Sequence, residues 1–170
     1  MTINQNELQY VTQTIREREP VYVLGRIDQQ TLSTTFRIDY NLSPEFSVQY
    51  YGSPFVSIGA YSNYKIVTHP LHENYENRFR LFQPVFDENR NQTADGIGFV
   101  NPDFCFTQFR SNLVFRWEYL PGSRLYLVWS NEQTDHRKIS NSTLDEAIGS
   151  FGETYARNLF LIKLNYWFSL

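Results

Sequence analysis

The stretch Thr107-Gln108-Phe109-Arg110-Ser111-Asn112-Leu113-Val114-Phe115-Arg116-Trp117-Glu118-Tyr119 decides the fold. Phe109, Leu113, Phe115, Trp117 and Tyr119 share one parity with Thr107 and Ser111. Gln108, Arg110, Asn112, Arg116 and Glu118 share the other, where Val114 is the one apolar residue. A strand sends alternate side chains to opposite faces, whereas a helical period of 3.6 would mix the two sets.

Two further segments repeat the pattern. In Leu32–Leu42 the apolar parity holds Leu32, Phe36, Ile38, Tyr40 and Leu42, and the polar parity holds Arg37 and Asp39. In Leu159–Leu170 the apolar parity is Phe160, Ile162, Leu164, Tyr166, Phe168 and Leu170, against a second face that includes Lys163 and Asn165. Over the three segments 16 of 19 positions on one face are apolar or aromatic, against 4 of 17 on the other, which selects strand over helix. Phe46–Tyr51 alternates more briefly. Leu125–Trp129 is apolar on both faces, so its orientation stays open, and Leu8–Ile15 is a weaker sixth strand. Pro54 lacks an N–H and points to a bulge or an edge. The expected fold is all-β, an antiparallel up-and-down meander of about six strands in a single domain over residues 1–170.

The connections are lopsided. Asn41-Leu42-Ser43-Pro44-Glu45 and Leu120-Pro121-Gly122-Ser123 are tight turns. Residues 61–103 and 132–155 are long links, and Thr143–Ile148 within the second allows one helical turn capped by Thr143. Strand parity puts both tight turns and the carboxyl terminus on one rim and the long links on the other. Outer-membrane barrels are laid out this way, with short periplasmic turns, long external loops and strands that alternate apolar-out and polar-in. Phe36-Arg37-Ile38-Asp39-Tyr40 and Phe115-Arg116-Trp117-Glu118-Tyr119 repeat as F-R-x-[DE]-Y, each just before a tight turn. Tyr40 and Tyr119 would then sit at the headgroup girdle.

Composition narrows the class. With Lys+Arg 15 against Asp+Glu 18 the net charge is −3, which argues against a nucleic-acid partner. Aromatic residues make up 17% of a chain whose mean hydropathy is −0.46, a heavy load for so polar a sequence. Cys105 alone permits neither an internal disulfide nor a cysteine zinc site. Met1-Thr2-Ile3-Asn4-Gln5-Asn6 has neither the basic start nor the apolar core of a signal peptide.

Several blocks together resemble a known family. They are Leu24–Leu32, Gln49–Phe55, Asn101–Phe104 with Gln108–Val114, Arg116–Ser123, and Leu127–Ser130. They resemble the carboxyl-terminal barrel, of unknown function, of large bacterial outer-membrane proteins that carry an amino-terminal family-9 carbohydrate-binding-like domain. The resemblance implies location and architecture, in the outer membrane of a Gram-negative bacterium, and brings no reaction with it. The closing Tyr166-x-Phe168 resembles the signal read by the barrel assembly machinery, except that Ser169 and Leu170 follow the aromatic. Six strands are fewer than the eight at which single-chain barrels begin. The expectation is therefore a distal fragment of a longer chain, or self-association that closes the barrel.

On this reading Phe36, Ile38, Tyr40, Phe109, Leu113, Phe115, Trp117, Tyr119, Phe160, Ile162, Leu164, Tyr166 and Phe168 face lipid. Arg37, Asp39, Gln108, Arg110, Asn112, Arg116, Glu118, Lys163 and Asn165 face the lumen. The segment is an anchor or pore wall for a larger surface protein. The alternatives are a soluble β-barrel or sandwich that binds a small apolar ligand, and an outer-membrane hydrolase. No G-x-S-x-G, H-E-x-x-H or G-x-x-x-x-G-K-[ST] motif is present, so no catalytic residue and no cofactor is assigned. Asp87, Asn89, Asn91 and Asp95 are spaced like calcium ligands, but Gln92 occupies the required Gly position and Gly98 the place of the bidentate Glu. His69 and His72, with Glu73 and Glu76, read as a solvated loop around His-Pro-Leu-His.

Overall fold

The computed structural model describes residues 1–92, 96–137, 143–149, 151 and 153–168. Its long strands are β1 (Thr2–Arg16), β2 (Glu19–Ser33), β3 (Phe36–Asn41) and β4 (Phe46–Val67). The short strands β5 (Phe79–Leu81), β6 (Asn91–Gln92) and β7 (Phe99–Val100) follow, then β8 (Phe104–Leu120), β9 (Ser123–Arg137) and β10 (Ala156–Asn165). A 3-10 turn covers Tyr75–Arg78 and one short helix, α1, covers Leu144–Gly149. The main sheet runs β1-β2-β4-β8-β9-β10, with β3 and β5 also paired to β4, and it is antiparallel. A two-stranded sheet joins β6 to β7.

β2 and β3 lie along the same partner, β4. Phe36 stands opposite Gly52 and Asn41 opposite Ser47. The Leu32–Leu42 strand expected from the sequence is therefore interrupted at Thr34-Thr35. The interruption sits opposite Pro54, whose carbonyl accepts from Thr34 N at 3.2 Å but which has no N–H to return. Pro54 thus breaks its partner strand and leaves β4 continuous, inside the sheet and away from an edge.

Three boundaries differ from the sequence reading. β4 runs on to Val67 and β9 to Arg137, so residues 61–67 and 132–137 are strand and not loop. β10 ends at Asn165, so Tyr166 and Phe168 lie past the last ladder residue. β2 was unforeseen over all but its last two residues, Leu32 and Ser33, and it makes a two-residue hairpin with β1 through Glu17 and Arg18, at φ 52° and 72°. Positive φ at both turn residues suits the right-handed twist of a hairpin. Asn-Gly announces such a turn and Glu-Arg does not. By strand parity this tight turn falls on the rim of the long links, an exception to the expected segregation.

The chain forms two compact units. The first is Met1–Thr31, Ser57–Cys105 and Arg137–Ser142, and the second is Leu32–Val56, Phe106–His136 and Thr143–Leu170. The first has a core of Val23, Tyr64, Ile66, Phe82, Ile97 and Phe99, with Val11, Val21, Tyr61 and Phe86 against it. Among the described residues of the second, the buried apolar residues are Val56 and Ala147 alone.

Candidate functional site

The site is the two-faced sheet of the second unit. In β3–β4 the paired residues Phe36 with Gly52, Ile38 with Tyr50 and Tyr40 with Val48 build the aromatic face. Gly52 is required there, because the Phe36 ring occupies the space a Cβ would take. Phe36 also lies 5.8 Å from the Tyr50 ring, and Phe46 lies 6.4 Å from Phe115. β9 and β10 extend the same face through Trp129 with Phe160, Leu127 with Ile162 and Leu125 with Leu164. This pairing settles the orientation that Leu125–Trp129 left open. Phe160 and Ile162 are each 74% exposed and Leu164 is 64% exposed, so the face is bare where it is most apolar.

Of the thirteen residues assigned to lipid, Phe36, Ile38, Tyr40, Trp117, Phe160, Ile162, Leu164, Tyr166 and Phe168 are exposed, and Phe109, Leu113, Phe115 and Tyr119 are half-buried. Phe109 departs from a bare surface because Phe151 packs on it at 6.1 Å between ring centroids. α1 brings this cover. Thr143 Oγ1 accepts from Glu146 N at 3.3 Å while Glu146 Oε2 accepts from Thr143 N at 3.1 Å, a capping box that starts the helix where the sequence placed it.

The opposite face is mostly polar, with Val114, Val128, Leu159 and Leu161 as its apolar members. Gln108 Nε2 donates to Thr134 Oγ1 at 3.2 Å, Arg110 Nε to Glu132 Oε1 at 3.0 Å, and Arg124 Nε to Glu118 Oε2 at 2.9 Å. All three pairs fall on a single β8–β9 register. Glu118 is the most engaged: Gly122 N donates to its Oε1 at 3.0 Å and Arg116 Nη2 lies 3.7 Å from its Oε2. Lys163 lies 5.9 Å over the Tyr126 ring, opposite it in the ladder. Arg37 and Asp39 face Tyr51 and Gln49 across the ladder, and Arg37, Gln49, Tyr51 and Asn112 line one groove. The two F-R-x-[DE]-Y copies therefore differ, since only the second ties its acid to a cation across strands. Asn165 ends the ladder opposite Arg124, and its carbonyl accepts from Tyr119 Oη at 3.4 Å.

Sequence reasoning missed Arg124, Tyr126, Glu132 and Thr134. They alternate with Leu125, Leu127 and Trp129, but apolar Val128 masks the period. The spacing candidates belong to the first unit. Asp87 Oδ1 accepts from Asn91 N at 2.7 Å and closes a turn in which Arg90 takes φ 66°. Asn89 lies in that turn, and Asp95 falls outside the described residues. His72 Nδ1 accepts from Asn74 N at 3.0 Å, and His69, Glu73 and Glu76 are exposed beside it. Among the described residues no three His, Cys, Asp or Glu side chains cluster as a metal site would need.

The geometry defines an antiparallel all-β protein with one aromatic and one charge-paired face. The DUF5916 family, a domain of unknown function, matches residues 1–169, and the chain belongs to it. No curated protein and no solved structure matches.

Proposed function

We propose that this chain is a wall segment of an outer-membrane β-barrel that anchors a larger surface protein. The carrying observation is the second unit's inverted burial. Its described residues bury only Val56 and Ala147 among apolar side chains, yet they expose Phe36, Ile38, Tyr40, Trp117, Trp129, Phe160, Ile162 and Leu164 on one face. A sheet in water is stabilised by covering such a face, and in a bilayer the lipid covers it. Tyr40 and Tyr119 suit the headgroup girdle. The polar face, with Arg37, Asp39, Gln108, Arg110, Asn112, Arg116, Glu118, Lys163 and Asn165, suits a wet lumen.

The partners that follow are outer-membrane lipid and the barrel assembly machinery, reading the last strand. The rest of a longer chain, or further copies, would pair the free sides of β1 and β10. An unpaired edge in lipid is costly for each backbone group. The carbohydrate-binding context suggested by the sequence resemblance belongs to this proposal too, and no reaction is assigned.

A second reading rests on one feature. Leu32, Pro54, Val56, Phe109, Ile148 and Phe151 line an apolar cleft of about 390 Å³ under α1. A soluble β-sheet protein could hold a small apolar ligand there. Cell fractionation with heated and unheated electrophoresis separates the two. A band in the outer-membrane fraction that shifts on heating is the expected result. A monodisperse product in the soluble fraction without detergent would overturn the barrel reading and favour the ligand-binding one.

A further inference from the structure

The long segment after β4 is folded onto the sheet. In the first unit Gln29 Nε2 donates to Ser57 Oγ at 2.9 Å and Thr31 Oγ1 lies 3.1 Å from the same hydroxyl, which puts these three on one face. The Phe104 ring occupies the space over Gly59, two residues on. Alternation along β4 adds Tyr61 to this face. On the barrel reading this polar face of the first unit's own sheet, carrying Gln29, Thr31 and Ser57, is the lumenal one. Asn63, at φ 48°, then resets the period, so that Tyr61, Tyr64 and Ile66 join one cluster with Val21 and Val23.

Those residues would be a poor wall for a water-filled passage. The segment between β4 and β8 covers them. Phe99 lies 5.8 Å from the Tyr64 ring, 6.3 Å from Phe82 and 5.7 Å from Phe86. Ile97 and Gln92 are fully buried, and Gln92 Oε1 accepts from Val85 N at 2.7 Å. A polar latch closes the fold: Asp103 Oδ1 accepts from Tyr61 N at 2.7 Å, Asn101 Oδ1 from Asp103 N at 2.9 Å, and Asp103 O from Arg90 Nη2 at 3.3 Å. An external loop would leave its apolar residues to solvent, as Leu71 is left at 94% exposure.

We propose that residues 79–92 and 96–103 form a plug held against the lumenal face, so that this part of the wall is closed to solutes. The proposal rests on the barrel reading and narrows it from pore to closed anchor. Its test uses the full chain in its native outer membrane. Ile97→Cys and Leu71→Cys are labelled in intact cells with a membrane-impermeant maleimide, the buried native Cys105 serving as control. The plug predicts labelling of Ile97→Cys at least about tenfold slower than Leu71→Cys, with equality restored on denaturation. Equal rates in native membranes would overturn it. The purified protein is also reconstituted in planar bilayers, with and without replacement of 79–99 by a short Gly-Ser link. A several-fold rise in conductance on replacement supports the plug, and a parent that already conducts as well as the replaced form overturns it. Recovery of the protein in the soluble fraction would sink the barrel reading itself, whereas equal labelling of a membrane-inserted protein sinks only the plug.

Discussion

The Trp129 and Phe160 rings stack across β9 and β10 with centroids 6.3 Å apart and planes 7° from parallel. They are directly opposed in the ladder. An aromatic pair of this kind contributes about 0.5–1.5 kcal/mol beyond its buried area. Its outer side is nevertheless open, with Phe160 at 74% exposure. The ladder orders the pair and leaves its outer side open, and on the proposed barrel reading lipid is the medium that covers it.

A charge placed on each face tests that medium. Leu113 stands beside Phe115, Leu127 and Phe160 on the aromatic side, whereas Asn112 lines the polar groove with Arg37 and Gln49. Leu113→Arg should cost about 2–4 kcal/mol at mid-bilayer and abolish the heat-modifiable species. Asn112→Arg should leave that species intact. Heated and unheated electrophoresis of outer membranes from the two variants checks this, and equal behaviour would refute the assigned facing.

Gly52 and Phe36 give a packing test independent of lipid. A Cβ at Gly52 would meet three atoms of the Phe36 ring. Gly52→Ala should destabilise by about 1–3 kcal/mol through overpacking. Phe36→Ala in the same chain should recover much of that, because the two changes share one space. Urea unfolding of the four variants of the cycle measures the coupling. Additive effects would show that the Phe36 ring has another place to go.

The strands were legible where alternation was unbroken and one face was wholly or almost wholly polar. Phe36–Tyr40 met the condition outright and Thr107–Tyr119 met it but for Val114, and the β3–β4 ladder keeps the first segment's parity as the sequence had it. β2 escaped notice because Val21, Val23, Gly25 and Ile27 alternate with Tyr22 and Leu24, so both faces read as apolar. The first residues of β1 were missed for the opposite reason, being polar on both faces. The charge pairing on the polar side was half legible. Arg110, Arg116 and Glu118 stood out, but their partners Glu132 and Arg124 depend on a β8–β9 register that no single segment encodes. The covering segment was the least legible. Phe82 and Phe86 are four apart and Ile97 and Phe99 two apart, pairs too short to establish either period, and their burial depends on long-range packing around Tyr64.

The two F-R-x-[DE]-Y copies should respond unequally. Glu118 accepts from Arg124 and from Gly122 N, and its side chain is 23% exposed. Asp39 is opposed by neutral Gln49. Glu118→Gln should lower the urea midpoint only modestly, because a partly solvated ion pair is worth little, and most of the loss should disappear at high salt. Asp39→Asn should be within about 0.5 kcal/mol of the parent, as surface substitutions without such partners are. Urea midpoints at low and high ionic strength check both. Equal losses would mean that the tie to the turn contributes nothing.

The helix cap offers the last test, because it separates covered from bare apolar surface. Thr143 Oγ1 holds the first turn of α1, and α1 leads into Phe151 over Phe109. Thr143→Ala should weaken the helix by about 1 kcal/mol. The loss falls on a six-residue helix, too short to persist without its cap and its packing. Phe109 should then become as open as the rest of its face while the β8–β9 ladder stays intact. If that face lies in lipid, the newly bared Phe109 finds an apolar medium and the barrel's heat-modifiable band should be unchanged. If the face lies in water, the same substitution bares the apolar cleft, and the soluble protein should bind a hydrophobic dye more strongly than its parent. Electrophoresis and dye binding on one variant thus give opposite signatures for the two environments, with the sheet itself as the shared control.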